Sequence, residues 1–351
     1  MKSCLINHRL NCKAYDKVIV TNLPAFYKKL LYNAIAQKSS ILVLYTGDKQ
    51  NERNKDFFHG EMGFDYIVLH HNFLYGILQM ISILHTVKYK KLLIGGWDNI
   101  IFWICAFFSR KKRNSLTLES SAFESKTYGI RKIIKKVFLC RIRSAYVSGL
   151  PHKELMNRLD FKGEILVTGG CGILNYSPQV EYAPRKEVRN FLYVGRLVEE
   201  KNLHILIDVF NSLPFLNLTI IGFGPMEDEL KKRAQANIFF KGAIKNKDLF
   251  KYYRLNDVFV LPSISEPWGL VVEEALNNGT PVIVSSKVGC SQDLVTKETG
   301  IIFNIEEEKK GLYDAIIKML DIELYNRLRY GVSKLDFYER VRNQVNVYLK
   351  E

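Results

Sequence analysis

Two doubly wound parallel-sheet α/β domains in tandem are the fold class this sequence predicts, and three observations carry the prediction. Short apolar, β-branched runs alternate with helical periods in two successive sets. A polar stretch with two prolines, NYSPQVEYAPRKE, lies between the sets. The length, 351 residues, is about twice that of an ordinary domain.

In the first set, Lys17 to Thr21 predicts a strand, followed by a loop and a helix through Ala36. Ile41 to Tyr45, Tyr66 to His70 and Leu92 to Gly95 predict further short strands, with helices at Leu74 to Thr86 and Ile100 to Phe108. Leu116 to Glu119, Ala145 to Ser148 and Ile165 to Thr168 extend the sheet, separated by a basic helix from Ile130 to Cys140 and another from His152 to Leu159. The second set has strands at Phe191 to Val194, Leu218 to Ile221, Ile238 to Lys241, Val258 to Leu261, Pro281 to Val284 and Ile301 to Phe303. Its helices fall at Leu203 to Leu213, Met226 to Gln235, Lys247 to Arg254, Leu270 to Asn278 and Tyr313 to Leu320. Leu335 to Leu349 is amphipathic and exceeds what a six-stranded domain needs, so it is expected to pack back on the first domain. The expected organisation is therefore 1–175, a linker at 176–188, 189–334, and a terminal helix at 335–351.

Charge distinguishes the halves. Residues 1–180 hold 27 Lys/Arg against 12 Asp/Glu, whereas residues 181–351 hold 24 of each. Within the basic half, Arg110 to Arg143 carries 11 basic residues and two acidic ones, Glu119 and Glu124. Such a stretch is either a solvated face or an attractor of phosphate-rich partners, an anionic membrane surface or nucleic acid. No RNP, helix-turn-helix or finger pattern is present, so nucleic acid is not the expected partner.

The six cysteines lie far apart with no CxxC spacing, which predicts free thiols in a reducing compartment rather than a disulfide framework or zinc site. Met1 to Val20 lacks the apolar core of a signal peptide, and the longest apolar run, Ile100 to Phe108, is too short to span a bilayer. A cytoplasmic protein, soluble or peripheral on the membrane, is expected.

Chemistry concentrates at the strand ends of the second domain, where open α/β sheets bind ligands. In YVGRLVEEKNL, Arg196 and Lys201 flank a strand-to-helix turn, with Lys201 expected to begin the helix. Two such cations can converge on one diphosphate, or can instead make surface pairs with Glu199 or Glu200. In IIGFGPMEDEL, Gly222 and Gly224 allow close backbone approach, but Glu227 stands where a dinucleotide fingerprint needs its third glycine, which argues against NAD. In SEPWGLVVEEALNNG, Glu266 and Glu274 lie eight positions apart around a predicted helix start. A helical rise would separate them by on the order of 12 Å, about the reach of a sugar nucleotide. The amides at that helix start suit a diphosphate.

Taken together, GR-x4-K, GxGP and SEPWGLVVEEALNNGTPVIVSSKVGCSQDLV resemble the retaining glycosyltransferases of family 4, which have the GT-B fold, and Glu266 to Glu274 is similar to that family's E-x7-E motif. The match covers residues 189–305 closely. The first half is similar more weakly, through TNLPAFYKKLLYNAI, LES and VSG. The resemblance implies that Arg196 and Lys201 bind the donor diphosphate, that Glu266 holds the donor sugar, and that Glu274 holds the ribose. It also implies that the Trp268, Gly269 and Leu270 amides hold the distal phosphate, that Gly222 lies at the nucleotide, and that the Ile244 backbone lies beside the base. Many members carry a His after a first-domain strand. Glu119 and Ser120 stand there in this chain, which makes Glu119 the candidate first-domain catalytic side chain, with His70 and His71 as structural or acceptor-facing groups.

No DxD-like acidic pair ends a strand, so neither a metal nor a further cofactor is expected. The implied partners are a nucleotide-diphosphate sugar and a glycan or lipid-linked glycan acceptor, as in surface polysaccharide or lipopolysaccharide synthesis. A GT-B sugar-nucleotide epimerase is the rival within the same architecture.

Overall fold

The computed structural model describes residues 13–47, 55–174, 176, 178 and 180–350. Cys4, Cys12 and Asn175 lie outside the described residues. The chain divides into two compact units, Met1–Ile173 with Val341–Glu351, and Leu174–Arg340.

The first unit is built on a seven-stranded parallel sheet: β1 (Ala14–Thr21), β2 (Ile41–Tyr45), β3 (Asp65–Val68), β4 (Lys88–Ile94), β5 (Asn114–Leu118), β6 (Ser144–Val147) and β7 (Glu164–Val167). Their order is β3-β2-β1-β4-β5-β6-β7, so the winding reverses between β1 and β4. Val18 pairs with Leu42 on one side and Leu92 on the other. These central residues are fully buried, because a parallel sheet is covered on both faces. This is why its strands read as continuous apolar runs. The helices are α1 (Phe26–Ala36), α2 (Phe73–Thr86), α3 (Ile100–Phe108), α4 (Gly129–Leu139) and α5 (Leu150–Arg158). Asn72 and Asn99 cap α2 and α3 by accepting from the first free amides of each helix.

The second unit has a six-stranded parallel sheet: β8 (Asn190–Val194), β9 (Asn217–Ile221), β10 (Ile238–Phe240), β11 (Val258–Leu261), β12 (Val282–Ser285) and β13 (Gly300–Phe303). The order is β10-β9-β8-β11-β12-β13, reversing between β8 and β11. Its helices are α6 (Leu203–Asn211), α7 (Glu227–Arg233), α8 (Asn246–Leu255), α9 (Leu270–Asn277), α10 (Ser291–Leu294), α11 (Glu308–Met319) and α12 (Ile322–Val332). Phe191 of β8 packs edge-on against Phe210 of α6 at 5.2 Å. Each such fully buried aromatic contributes about 1.5–3 kcal/mol of transfer free energy. The last helix, α13 (Phe337–Leu349), has its final residues in the first unit, where Tyr348 stacks on Tyr146 of β6 at 4.9 Å.

Three local expectations are corrected. Lys201 closes a one-turn 3-10 segment, Glu199–Lys201, and α6 begins only at Leu203 after the left-handed Asn202. Glu266 precedes α9 and forms an isolated parallel bridge with Val288, so helical rise does not set its separation from Glu274. The helix α12, capped by the Asp321 carboxylate, was not expected.

Candidate functional site in the second unit

The loops after β8, β9, β10 and β11 all leave the carboxyl end of the sheet, and the winding reversal between β8 and β11 makes that end the place where an open α/β sheet binds ligands. The β8 and β11 loops are tied together by the Ile264 amide donating to the Glu200 carbonyl at 3.0 Å. That link brings two residues 65 positions apart into contact: Lys201 Nζ donates to Glu266 Oε2, with both side chains largely shielded. Lys201 thus pairs with a carboxylate of the motif rather than with Glu199 or Glu200. Arg196 stands exposed in the same loop, and its carbonyl accepts from the Tyr193 hydroxyl at 2.9 Å. Burial, followed by the nearby Glu266 charge, raises the Tyr193 phenol well above its usual range, so it stays a neutral donor.

The stretch from Glu266 to Gly269 is held from the side by the loop after β12. The Gly289 amide donates to the Glu266 carbonyl at 2.9 Å, and the Cys290 amide donates to the Trp268 carbonyl at 2.8 Å. A Cβ on Gly289 would lie 1.7 Å from the Pro267 carbonyl, so only glycine lets the two loops close. Gly269 has φ +99° and starts α9 in a left-handed conformation. Among the described residues, the Gly269 and Leu270 amides donate to no protein acceptor, as is normal for the first turn of a helix. These donors, at the positive end of α9, follow Glu266 by three and four positions in the same turn.

Glu274 and Glu273 are adjacent on α9 but point into different surroundings. Glu274 Oε2 accepts from the Tyr253 hydroxyl of α8 at 2.8 Å. Glu273 is buried, accepting from Trp268 Nε1 at 3.0 Å and from the Tyr176 hydroxyl at 3.2 Å. Burial raises both carboxyls to about 7, offset in part by these hydrogen bonds and, for Glu273, by Arg340. Glu273 was missed in the sequence because nothing in a Glu-Glu pair says which member faces the core. Its role is to anchor Trp268, which is buried, and thereby the turn before α9.

Gly222 has φ +143°, and a Cβ there would lie 1.8 Å from the Gly195 carbonyl. The glycine is thus required by the approach of the β8 and β9 loops to each other. Ile244 is half-buried in the loop between β10 and α8.

Glu119 belongs to the first unit. Its carboxylate pairs with Lys28 of α1 at 2.6 Å, and its carbonyl contacts His152 Nε2 at 3.1 Å. Lys28 also donates to Thr21 Oγ1 at 3.1 Å. Burial pulls the Lys28 ammonium down most strongly of any single cause, but the Glu119 charge, the neighbouring Tyr27 and Tyr32 phenols and the hydrogen bond to Glu119 together outweigh it, leaving Lys28 well above the ordinary lysine range. A small cavity opens beside this pair at the carboxyl ends of the strands, lined by Tyr32, Tyr146, Ser148, Thr168 and Tyr348 among others.

Residues 179–334 match the family model for glycosyl transferases group 1. Over that stretch the chain is similar to a group 1 glycosyltransferase domain. The enzyme class expected from the sequence is the class to which this domain belongs. Over 118 residues the chain is 37% identical to the sulfoquinovosyl transferase SQD2 of Arabidopsis thaliana, a match covering 32% of the chain and 23% of that relative's length. Structural likeness extends over nearly the whole chain. The Anabaena protein HepE in complex with UDP aligns with a TM-score of 0.69 at 14% identity, covering 95% of this chain and 99% of the other. The apo form of the lipopolysaccharide outer core galactosyltransferase WaaB aligns with a TM-score of 0.68 at 15% identity, covering 95% and 98%. At these identities the likeness is one of fold: the second unit and the unit before it are the two Rossmann-like sheets of the GT-B architecture.

Proposed function

We propose that the chain transfers a sugar, with retention of configuration, from a nucleotide-diphosphate sugar held by the second unit to a glycan or lipid-linked glycan, in the manner of family 4. The observation that carries this reading is the Lys201–Glu266 pair followed in the chain by the free first-turn amides of α9, with Arg196 in the same loop as Lys201 and Glu274 one helix turn further on. As the bond from the anomeric carbon to phosphate stretches, negative charge builds on the diphosphate. Arg196, Lys201 and the α9 amides are fixed donors for that charge, so stabilisation requires little reorganisation. Glu266 accepts from a donor-sugar hydroxyl while Lys201 offsets its charge. Glu274, oriented by Tyr253, accepts from the ribose hydroxyls. In this reading the Trp268, Gly269 and Leu270 amides meet the distal phosphate, and the loop at Ile244 borders the base. The protein cations and amides supply the electrophilic assistance, so the reading assigns no step to a metal.

The acceptor reading assigns the Lys28–Glu119 pair and its cavity to the first unit's part in the reaction. Surface polysaccharide or lipopolysaccharide assembly at the cytoplasmic membrane face is the proposed setting, supported by the basic surplus of residues 1–180. Among the described residues no helix is long and apolar enough to cross a membrane.

A screen of radiolabelled sugar nucleotides against lipid-linked acceptor extracts tests the proposal. Label is expected to enter the acceptor, with nucleotide release dependent on acceptor and lost in Arg196→Ala. Nucleotide release at the same rate without acceptor would overturn transfer in favour of an epimerase-like or hydrolytic activity.

A further inference from the structure

Helix α4 is amphipathic in sequence, GIRKIIKKVFL, with Ile130, Ile133, Ile134 and Val137 at the i, i+3, i+4, i+7 spacing of one face. Such a stripe ordinarily faces the core. Here it faces outward: Ile130 is 72% exposed, Ile133 62%, Ile134 48% and Val137 46%. The inner side is formed instead by Phe138, Leu139 and the stems of Lys132 and Lys135. Lys135 Nζ reaches Ser125 Oγ at 2.6 Å and the Lys126 carbonyl at 2.8 Å, and lies over the Trp97 ring at 5.3 Å.

The exposed apolar surface does not end with the helix. Phe138 packs against Trp103 of α3 at 5.2 Å, and Trp103 stacks on Phe107, which is itself exposed, as is Phe108 beside it. Tyr128 stands exposed just before the first turn of α4. The helix contains four cations, Arg131, Lys132, Lys135 and Lys136, and no acidic residue.

At the last turn of α4 a cavity of about 420 Å³ opens, with an apolar floor that includes Leu139, Leu159 and Phe161. Its rim carries Lys111, Lys136, Arg143 and Lys162 against one carboxylate, Asp160. Asp160 is already shared by Lys132 at 3.3 Å and Lys136 at 3.2 Å. Lys111, Arg143 and Lys162 make no ion pair among the described residues. This cavity lies at the amino ends of β6 and β7, the opposite end of the sheet from the Lys28–Glu119 pair.

We infer that α4 and this cavity form a seat for an anionic phospholipid surface. The isoleucine stripe and Phe107 enter the interface between headgroups and acyl chains, and the free cations of the cavity take lipid phosphate. Apolar side chains flanked by lysine and arginine are the composition of a helix lying in a bilayer interface. The absence of acid on α4 matches the negative surface potential of such a membrane and disfavours a neutral apolar partner. The inference rests on the membrane setting proposed above and names the surface that would serve it.

Full-length protein is tested by co-sedimentation with vesicles of phosphatidylcholine alone and of phosphatidylcholine with phosphatidylglycerol. Two surface double variants accompany it, Ile133→Asp with Ile134→Asp, and Arg143→Gln with Lys162→Gln. The wild type is expected to partition to the anionic vesicles only, and the isoleucine variant to lose roughly tenfold or more of that partition. Neutralising Arg143 and Lys162 is expected to cost about fivefold per cation, roughly 25-fold together. Equal partition to both vesicle types, or wild-type partition by both variants, overturns the assignment. Binding of inorganic phosphate without binding of vesicles identifies free phosphate as the ligand and also overturns it. So does a dimer that the isoleucine variant abolishes while its vesicle partition is unchanged, since the face then belongs to a second copy. UDP binding is read on the same preparations: UDP binding without partition removes this surface and leaves the transferase reading, and partition without UDP binding does the reverse.

Discussion

Replacing Glu273 by glutamine is expected to stabilise the second unit above neutral pH and to change it little in acid. The carboxyl is 2% exposed and accepts from Trp268 Nε1 and the Tyr176 hydroxyl. Burial, partly offset by Arg340 and these two bonds, raises it from 4.5 to about 7. Because the folded value lies above the unfolded one, the native state binds this proton more tightly. Its stabilising effect is complete below the unfolded value and is lost as pH rises through about 7. The gap corresponds to roughly 3 kcal/mol by pH 8. The glutamine never ionises and keeps an oxygen for Trp268, at a cost of about 1 kcal/mol for the weaker bond to Tyr176. The net gain is therefore about 2 kcal/mol at pH 8, or roughly 4–8 °C in Tm for a unit of this size. At about pH 4, below the unfolded value, the carboxyl is protonated in both the folded and the unfolded state, and Tm is expected to be equal or slightly lower in the variant. Thermal unfolding followed by circular dichroism at both pH values provides the assay. A loss of Tm in Glu273→Gln that is the same at both pH values would refute the reasoning, since it would mean that the carboxylate is stabilised where it lies.

Three further outcomes follow from the same geometry. A double-mutant cycle on Lys201→Met and Glu266→Gln, read by thermal unfolding, is expected to give a coupling of about 1–3 kcal/mol, and additivity would show that the pair contributes nothing as a pair. Gly222→Ala should cost about 3 kcal/mol or more because its Cβ would lie 1.8 Å from the Gly195 carbonyl. Gly242→Ala, at φ +66° with open space around it, should cost only about 1 kcal/mol, so equal losses would contradict the packing account of Gly222. Tyr253→Phe removes a hydrogen bond that lowers the Glu274 carboxyl, so the acidic limb of nucleotide binding should move to higher pH; an unchanged limb would remove Glu274 from the ribose site.

The strands were legible because a parallel sheet covered on both faces forces unbroken apolar runs such as ILVLY and VFVL, and turn residues bound them. The helix α12 was missed although Asp321 and the spacing of Tyr325, Leu328 and Val332 carry its cap and its buried face. The contact between Lys201 and Glu266 could not be read, since it depends on where two loops 65 residues apart cross. Gly222 read as an approach to a ligand, while its immediate partner is the Gly195 carbonyl. The pattern of α4 identified a basic amphipathic helix but not that its apolar stripe faces outward, because periodicity fixes which residues share a face and tertiary packing decides which face is covered.

The central claim is that the second unit holds the donor nucleotide through Arg196 and Glu274, and equilibrium binding of UDP by calorimetry tests it most directly. Arg196→Ala and Glu274→Ala are each expected to weaken UDP binding about 10–100-fold, the loss of one charged hydrogen-bonding group. Arg143→Gln with Lys162→Gln, which removes two positive charges from the first unit against the one that Arg196→Ala removes, is expected to leave the affinity unchanged. Wild-type affinity in both Arg196→Ala and Glu274→Ala would contradict the account.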